Sequence, residues 1–327
     1  MAKYLNLGCG NRYVESAAWL NVDFAVRHPG VLAIDLRKKL PFGENSFDLV
    51  YHSHVLEHFT CAEAKRLLDE CYRVLKPGGI IRIVVPDLEN IVREYLHILD
   101  EIRSGVADAR SKYDWIMLEL YDQVVRQTPG GMMLQYLQQP EIPAHDYVLQ
   151  RGGKEIQELI QRARTASNVP RPAGQKFNSS WQRLKYHLFW RPKQSNVPRP
   201  AGQKFNSSWQ RLKYHLFWRP KQWIRRLPAQ LGRLPSEIKE KLLALLLAQE
   251  YELLTISRFR NSGEVHQWMY DSYSLGALLA AVGFTEICVQ TPTKSYLDDW
   301  PGFHLDTEPD GRIYKPNSLY MEAKKMG

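Results

Sequence analysis

The stretch KYLNLGCG, Lys3 to Gly10, sets the reading of this chain: a short strand pattern from Lys3 to Leu7 runs directly into a turn built on two glycines. Working outward, Trp19 to Phe24, Val31 to Leu36 and Phe47 to His52 each carry a strand pattern, separated by Pro, Gly and Asn turns. A well-marked helix follows. Thr60 with Glu63 three residues on forms a capping box, and Ala64, Leu67, Leu68, Cys71, Val74 and Leu75 recur at helical spacing until Pro77-Gly78-Gly79 stops them. Ile80 to Val85 is a near-continuous β-branched run, which predicts a strand buried on both faces. Strands interleaved with helices or loops over the first 90 residues predict an α/β domain with a mainly parallel sheet.

From Leu88 to about Val265 helical patterns take over, as in Leu88 to Leu99, Tyr113 to Val125 and Glu237 to Leu254. The sheet is expected to resume near the end. Leu275, Leu278, Leu279 and Val282 form a helix stripe closed by Gly283, Phe284 to Gln290 reads as a strand, and Ser318 to Lys324 alternates as an exposed or antiparallel strand does. The predicted organisation is a split domain, residues 1–87 and 266–327, around a large helical insertion over 88–265 that precedes the last strands.

The chain's 327 residues, 44% hydrophobic and 24% charged, suit a soluble globular protein with a substantial core. No apolar run is long enough to span a bilayer, and the N-terminus lacks a signal-peptide pattern. Cys9, Cys61, Cys71 and Cys288 have neither disulfide-framework nor zinc-ligand spacing, so a cytoplasmic location is expected. The formal net charge of +9 points at first to a polyanion partner. It is unevenly placed. Ser167 to Gln194 is repeated residue for residue as Ser195 to Gln222, and the two copies hold 12 basic residues and no acid, leaving −3 on the other 271 residues. This pair, with Trp181, Trp190, Trp209 and Trp218 among its basic residues, allows contact with nucleic acid or an anionic membrane surface, and equally a solvated surface insertion.

A glycine turn after the first strand of a parallel sheet brings backbone close to a ligand at the carboxyl ends of the strands. The dinucleotide pattern G-x-G-x-x-G needs Gly or Ala at position 13, where Tyr13 stands. Asp23 ends the second strand, where a carboxylate can accept ribose hydroxyls, and Asp35 ends the third, where an acid can meet an adenine edge. Three such strand ends side by side describe a nucleoside pocket.

LNLGCG (Leu5 to Gly10), the acid at Asp23, IDLRKKLPFGENSFDLVYHSHVLEHF (Ile34 to Phe59), LKPGG (Leu75 to Gly79) and AVGF (Ala281 to Phe284) together resemble the successive motifs of class I methyltransferases dependent on S-adenosylmethionine. The resemblance implies a Rossmann-like seven-stranded, mainly parallel sheet with an antiparallel last hairpin. It makes residues 1–87 the cofactor-binding half, with Gly8, Cys9 and Gly10 at the methionine moiety, Asp23 at the ribose, Asp35 and Leu36 at the adenine, and Ser53-His54 flanking the methyl sulfonium. Two features depart from the family. The first strand begins at residue 3, without the helix that usually covers the cofactor, and only 14 residues separate Gly8 from Asp23, which leaves a curtailed first helix. The insertion is expected to supply the lid.

Methyl transfer to a hydroxyl or ammonium acceptor needs a base. His54, Glu57 and His58 follow the fourth strand at i, i+3 and i+4, the spacing of one helical face, and Asp87 follows the fifth strand as a base candidate or a helix cap. The triplet is similar to the E-x-x-E-H metal motif of small-RNA terminal methyltransferases, with His54 in place of the first Glu; no metal is assigned from it. In the insertion Asp114, Trp115, Glu119, Tyr121 and Asp122 precede Gly130-Gly131, and His266, Trp268, Met269 and Tyr270 are placed to rim an acceptor pocket. The expected activity is methyl transfer from S-adenosylmethionine to an oxygen or nitrogen of a small-molecule or glycan-like acceptor. A nucleic-acid methyltransferase using 167–222, and a non-catalytic cofactor-binding protein held at a membrane surface, are the alternatives.

Overall fold

The computed structural model describes residues 3–26, 28–167 and 249–327, with Glu240, Leu243, Ala244 and Leu247. Contacts divide the chain into two units, Met1–Val169 with Leu254–Gly327, and Pro170–Leu253; the elements below belong to the first. The duplicated segment, Ser167 apart, and part of the helical pattern at Glu237 to Leu254 lie outside the described residues.

Seven strands form one sheet: β1 (Tyr4–Leu7), β2 (Trp19–Asp23), β3 (Val31–Ala33), β4 (Phe47–Ser53), β5 (Leu75–Pro86), β6 (Phe284–Gln290) and β7 (Ser318–Lys325). Their order is β3-β2-β1-β4-β5-β7-β6, parallel from β3 to β5 and antiparallel where β7 joins β5 and β6. This is the α/β, Rossmann-like sheet with an antiparallel last hairpin that the sequence predicts. Among the described residues no strand falls between 88 and 265. Longer helices there run Leu88–Arg103, Ala109–Met117, Gly131–Leu137 and His145–Ser167, and Gln249–Arg260 runs from the second unit into the first.

One face of the sheet is covered as periodicity predicts. Helix α1 (Cys61–Val74) starts at the Thr60 box: the Thr60 side chain accepts from the Glu63 N–H, and the Glu63 carboxylate accepts from the Thr60 N–H at 3.1 Å. Two otherwise orphaned helix-end donors are thereby satisfied. Its stripe of Ala64, Leu67, Leu68 and Cys71 packs with Leu275 and Leu279 of the helix Ser272–Val282 against Leu5, Val50 and Ile81. Gly283, at φ 108°, takes the left-handed conformation that ends that second helix.

The other face is covered by irregular chain, and here the expected curtailed first helix is absent: Gly8 to Ala18 is a loop. The reason lies in two buried asparagines opposite each other on β1 and β2. Asn6 donates to the Arg12 carbonyl at 2.9 Å and to Asn21 Oδ1 at 3.1 Å, while Asn21 exchanges two hydrogen bonds with the Val14 backbone. Buried loop backbone needs such partners. The cross-strand register continues that polar row from Asn6 to Tyr51, Arg82 and Glu322 on neighbouring strands. Arg82, fully buried, donates to Asp306 at 2.8 Å, to Glu322 at 2.7 Å and to the Lys294 and Thr291 carbonyls. Asp306 also accepts from Tyr51 and Trp300, so the segment from Thr291 to Asp306 is fastened to the sheet by a fully hydrogen-bonded ion cluster.

Four local expectations change. Leu75 leaves the helical run and begins β5, with Lys76–Gly79 bulging where the register jumps from Phe47↔Leu75 to Leu49↔Ile80. β3 stops at Ala33, so Asp35 stands in a turn with its carboxylate on the Arg37 N–H. Ile81 to Val85 is buried on both faces as predicted, but Ile80 is only partly buried and one face carries the fully buried Arg82. β7 is antiparallel, but it is interior and buried, because its polar face meets Arg82.

Candidate functional site

A cavity of about 580 Å³ opens at the carboxyl ends of β1, β4 and β5. Gly8, Cys9 and Gly10 form one wall, Ser53, His54 and His58 the floor. Trp115, Glu119 and Met133 close the side opposite the sheet, and Lys315, Asn317 and Ser318 the remaining edge.

The glycine turn has the shape its sequence implies. Gly8 and Gly10 sit at φ 63° and 53°, and a Cβ on Gly8 would meet Val55 Cγ2 at 2.5 Å. Burial, together with the Asp23 carboxylate, pushes the Cys9 thiol up to about 12, so it is a neutral wall group. Asp23 Oδ2 accepts from the Gly10 N–H and Oδ1 from the Ala25 N–H, both at 2.9 Å. A carboxylate offers about four acceptor sites, so capacity for two further hydroxyl donors is left. Asp23, Asp35 and Leu36 lie outside the cavity wall; Leu36 is in the core and Asp35 is exposed.

At the end of β4 the chain turns sharply. His54 has φ 53°, a left-handed value that costs a non-glycine residue about 1–3 kcal/mol and is held by the His54 N–H to Val84 carbonyl bond. Its Nε2 lies 2.9 Å from Ser318 Oγ and its Nδ1 3.4 Å from Glu57 Oε1. Burial first, then the nearby Lys315, holds the His54 imidazole well below its ordinary range, so it is neutral at pH 7. Glu57 and His58 follow in the single turn Leu56–His58 rather than on a long helical face. Glu57 is wholly buried behind the cavity floor, and desolvation raises its carboxyl to about 8. Desolvation lowers His58 to about 4.

Asp87 caps helix α2 (Leu88–Arg103), accepting from Glu89 N and Asn90 N. Its carboxylate is committed to the helix end and does not line the cavity. The strand-like segment Val265 to Tyr270 returns beside it: the Leu88 N–H reaches the Tyr270 carbonyl, the Gln267 N–H the Glu57 carbonyl at 2.7 Å, and the His266 N–H the Gln123 carbonyl at 3.0 Å. These bonds bring His266 against His58, ring centroids 4.8 Å apart. Of the expected rim, His266 and Met269 line the cavity; Tyr270 is buried in the core and Trp268 is half exposed.

Of the insertion residues, Trp115 and Glu119 line the cavity, with Glu119 held by Arg151. Asp122 instead serves structure, binding Arg126 at 2.8 Å and the Met132 N–H at 2.7 Å. Sequence reasoning does not single out Arg12, Lys315 or Ser318. A topological signal was present for Ser318: β7 is antiparallel, so its first residue pairs with Pro86 at the carboxyl end of β5. Among the described residues, no helix is long and apolar enough to cross a membrane.

Residues 5–83 match the family model described as a methyltransferase domain. An uncharacterized methyltransferase of Synechocystis sp. is 47% identical over 49 residues, 15% of this chain and 23% of that protein. The ubiquinone/menaquinone biosynthesis C-methyltransferase of Citrobacter koseri is 36% identical over 84 residues, 24% of this chain and 33% of that protein. Among solved structures, a SAM-dependent methyltransferase from Archaeoglobus fulgidus is 24% identical with a TM-score of 0.25, covering 29% of this chain and 51% of that one. The chain spans between 23% and 39% of the length of the curated relatives it matches.

Proposed function

We propose that this chain, which carries a class I S-adenosylmethionine-dependent methyltransferase domain over residues 5–83, transfers a methyl group to an oxygen or nitrogen of a small-molecule or glycan-like acceptor. The observation that carries the reading is that a single cavity joins the left-handed glycine turn after β1 to the partly buried His54 and His58 after β4. Four unpaired thiols suit the cytoplasm as the place of action.

The turn fits S-adenosylmethionine: its backbone is open because position 8 has no room for a side chain, and Asp23 keeps free acceptor capacity. In this reading Gly8, Cys9 and Gly10 hold the amino-acid end and Asp23 the ribose hydroxyls, while Asp35 and Leu36 stand beyond β3 on the adenine side. When bound, the cofactor supplies a methyl group activated by a sulfonium and departs as the thioether. An acceptor lone pair aimed at that methyl would form the new bond as the carbon–sulfur bond broke, its electron pair staying on sulfur. The acceptor's proton goes to His54, which burial keeps neutral and which Ser318 orients. The apolar side of the cavity, Trp115, Met133 and Met269, excludes water and acts as the lid.

Calorimetry with S-adenosylmethionine and with its demethylated product tests the cofactor site. Asp23→Ala is expected to weaken both at least about tenfold, the loss of one charge-assisted contact. No binding by the unaltered chain, or equal binding by the variant, overturns the proposal. Mass spectrometry of cell extract incubated with methyl-deuterated cofactor then identifies the acceptor and the methylated atom.

A further inference from the structure

Behind the cavity floor, three side chains converge with buried polar atoms that make no hydrogen bond, the nearest approach to the carboxylate being His54 Nδ1 at 3.4 Å from Glu57 Oε1. Glu57 is 0% exposed and neither carboxylate oxygen has a hydrogen-bond partner. Nδ1 of His58 and Nδ1 of His266 are likewise buried and unpartnered. One donor atom from each of these residues lies within 4.8 Å of the others. A buried polar group left unsatisfied costs about 1–3 kcal/mol, more for a charged one, and here several are aimed at one point.

We propose that Glu57, His58 and His266 bind a single divalent first-row metal ion, zinc above all, with an open coordination position toward the cavity. One imidazole–imidazole–carboxylate set is the donor chemistry such ions select, and three protein ligands leave a fourth tetrahedral position for an outside oxygen. His58 and His266 both line the cavity, so that position is accessible to a small molecule. The backbone of Val265 lies beside the His58 ring and interacts with it, as backbone groups commonly do with ligating histidines. Closing a span of up to 4.8 Å onto ligand bonds of about 2.1 Å needs side-chain shifts of about 1 Å. The neighbouring cations are already paired, Lys315 with Glu155 at 3.1 Å and Arg126 with Asp122 at 2.8 Å.

His54 stands outside the set, its Nε2 engaged by Ser318. His266 could not be joined to Glu57 and His58 by spacing, since more than 200 residues intervene; the Gln267–Glu57 backbone bond makes the cluster. The role of the ion in transfer rests on the methyltransferase reading above: an acceptor hydroxyl bound at the open position would be acidified beside His54.

The test uses the full chain, stripped with a chelator and dialysed, then titrated with Co²⁺ by visible absorption and with Zn²⁺ by calorimetry. One equivalent of each ion is expected. Glu57→Gln and His266→Ala should each weaken binding roughly a hundredfold or more, while His97→Ala, on an exposed helix position, should leave it unchanged. Absence of Co²⁺ ligand-field bands and of Zn²⁺ heat, or binding that survives both substitutions, overturns the site. Glu57→Gln is nearly isosteric, and circular dichroism of each variant separates lost binding from lost folding. Calorimetry with the demethylated cofactor product on the same samples keeps the two readings apart: binding of product without metal refutes only the metal site, and binding of metal without product refutes only the cofactor site.

Discussion

Two buried polar clusters lie in this domain, and they differ in how completely they are satisfied. Around Arg82, the two carboxylates of Asp306 and Glu322 and two backbone carbonyls saturate the guanidinium, and Tyr51, Trp300 and Ser295 saturate the carboxylates in turn. Around Glu57, four carboxylate and imidazole atoms are buried without a hydrogen bond, the nearest approach to the carboxylate being His54 Nδ1 at 3.4 Å from Oε1. A satisfied cluster needs nothing from outside and holds architecture together. An unsatisfied one at the back of a cavity calls for an explanation, which the proposed metal ion supplies.

The comparison can be broken or sharpened by three experiments. Arg82→Met should have the largest effect, a loss of about 3–5 kcal/mol in urea unfolding, because it leaves two carboxylates buried without their cation. A loss below about 1 kcal/mol would show that the cluster does not fasten the Thr291–Asp306 segment.

His52 gives the next effect. Its imidazole is fully buried on the apolar face of β4, with both nitrogens unpartnered, and desolvation lowers it to about 3. The folded protein therefore binds fewer protons there than the unfolded chain, whose histidine titrates near 6.5. The stability this group contributes is present above about pH 6.5 and is lost progressively as pH falls toward 3, about 1 kcal/mol between pH 7 and 5.5. His52→Leu should flatten that part of the stability–pH curve, and an unchanged slope would place the titration elsewhere.

The smallest effect is expected at Glu57. In chelator-treated protein Glu57→Gln should change stability by less than about 1 kcal/mol, since it removes a carboxylate that accepts no hydrogen bond, even while it weakens metal binding roughly a hundredfold. A loss comparable to that of Arg82→Met would make the cluster structural.

Legibility in the sequence follows the same division. The strands, the Thr60 box, the Gly8–Gly10 turn and the Gly283 helix end are local features, and each shows in neighbouring residues because it depends on backbone conformation and on apolar spacing. Gly8, Cys9, Gly10, Ser53, His54 and His58 are legible as cavity-lining residues for that reason, since they sit at the ends of parallel strands. The Asn6–Asn21 pair and the Arg82 cluster are not, because a lone polar residue in an apolar strand carries no mark of its partner across the sheet. Asp87 shows the converse: position alone permits a base or a helix cap, and hydrogen bonds to Glu89 and Asn90 give it the cap.

What the amino-acid sequence determined by itself is the alternation of strands and helices, the ligand-facing glycine turn and the concentration of basic charge in the duplicated segment, since each depends on residues adjacent in the chain. What only the tertiary structure decided is which polar groups meet. Antiparallel β7 carries Glu322 to Arg82 and Ser318 to His54, and the return of Val265–Tyr270 carries His266 to Glu57 and His58. Desolvation acts on whichever groups packing places out of water, so the electrostatics of the site arise from long-range contacts that no local pattern encodes.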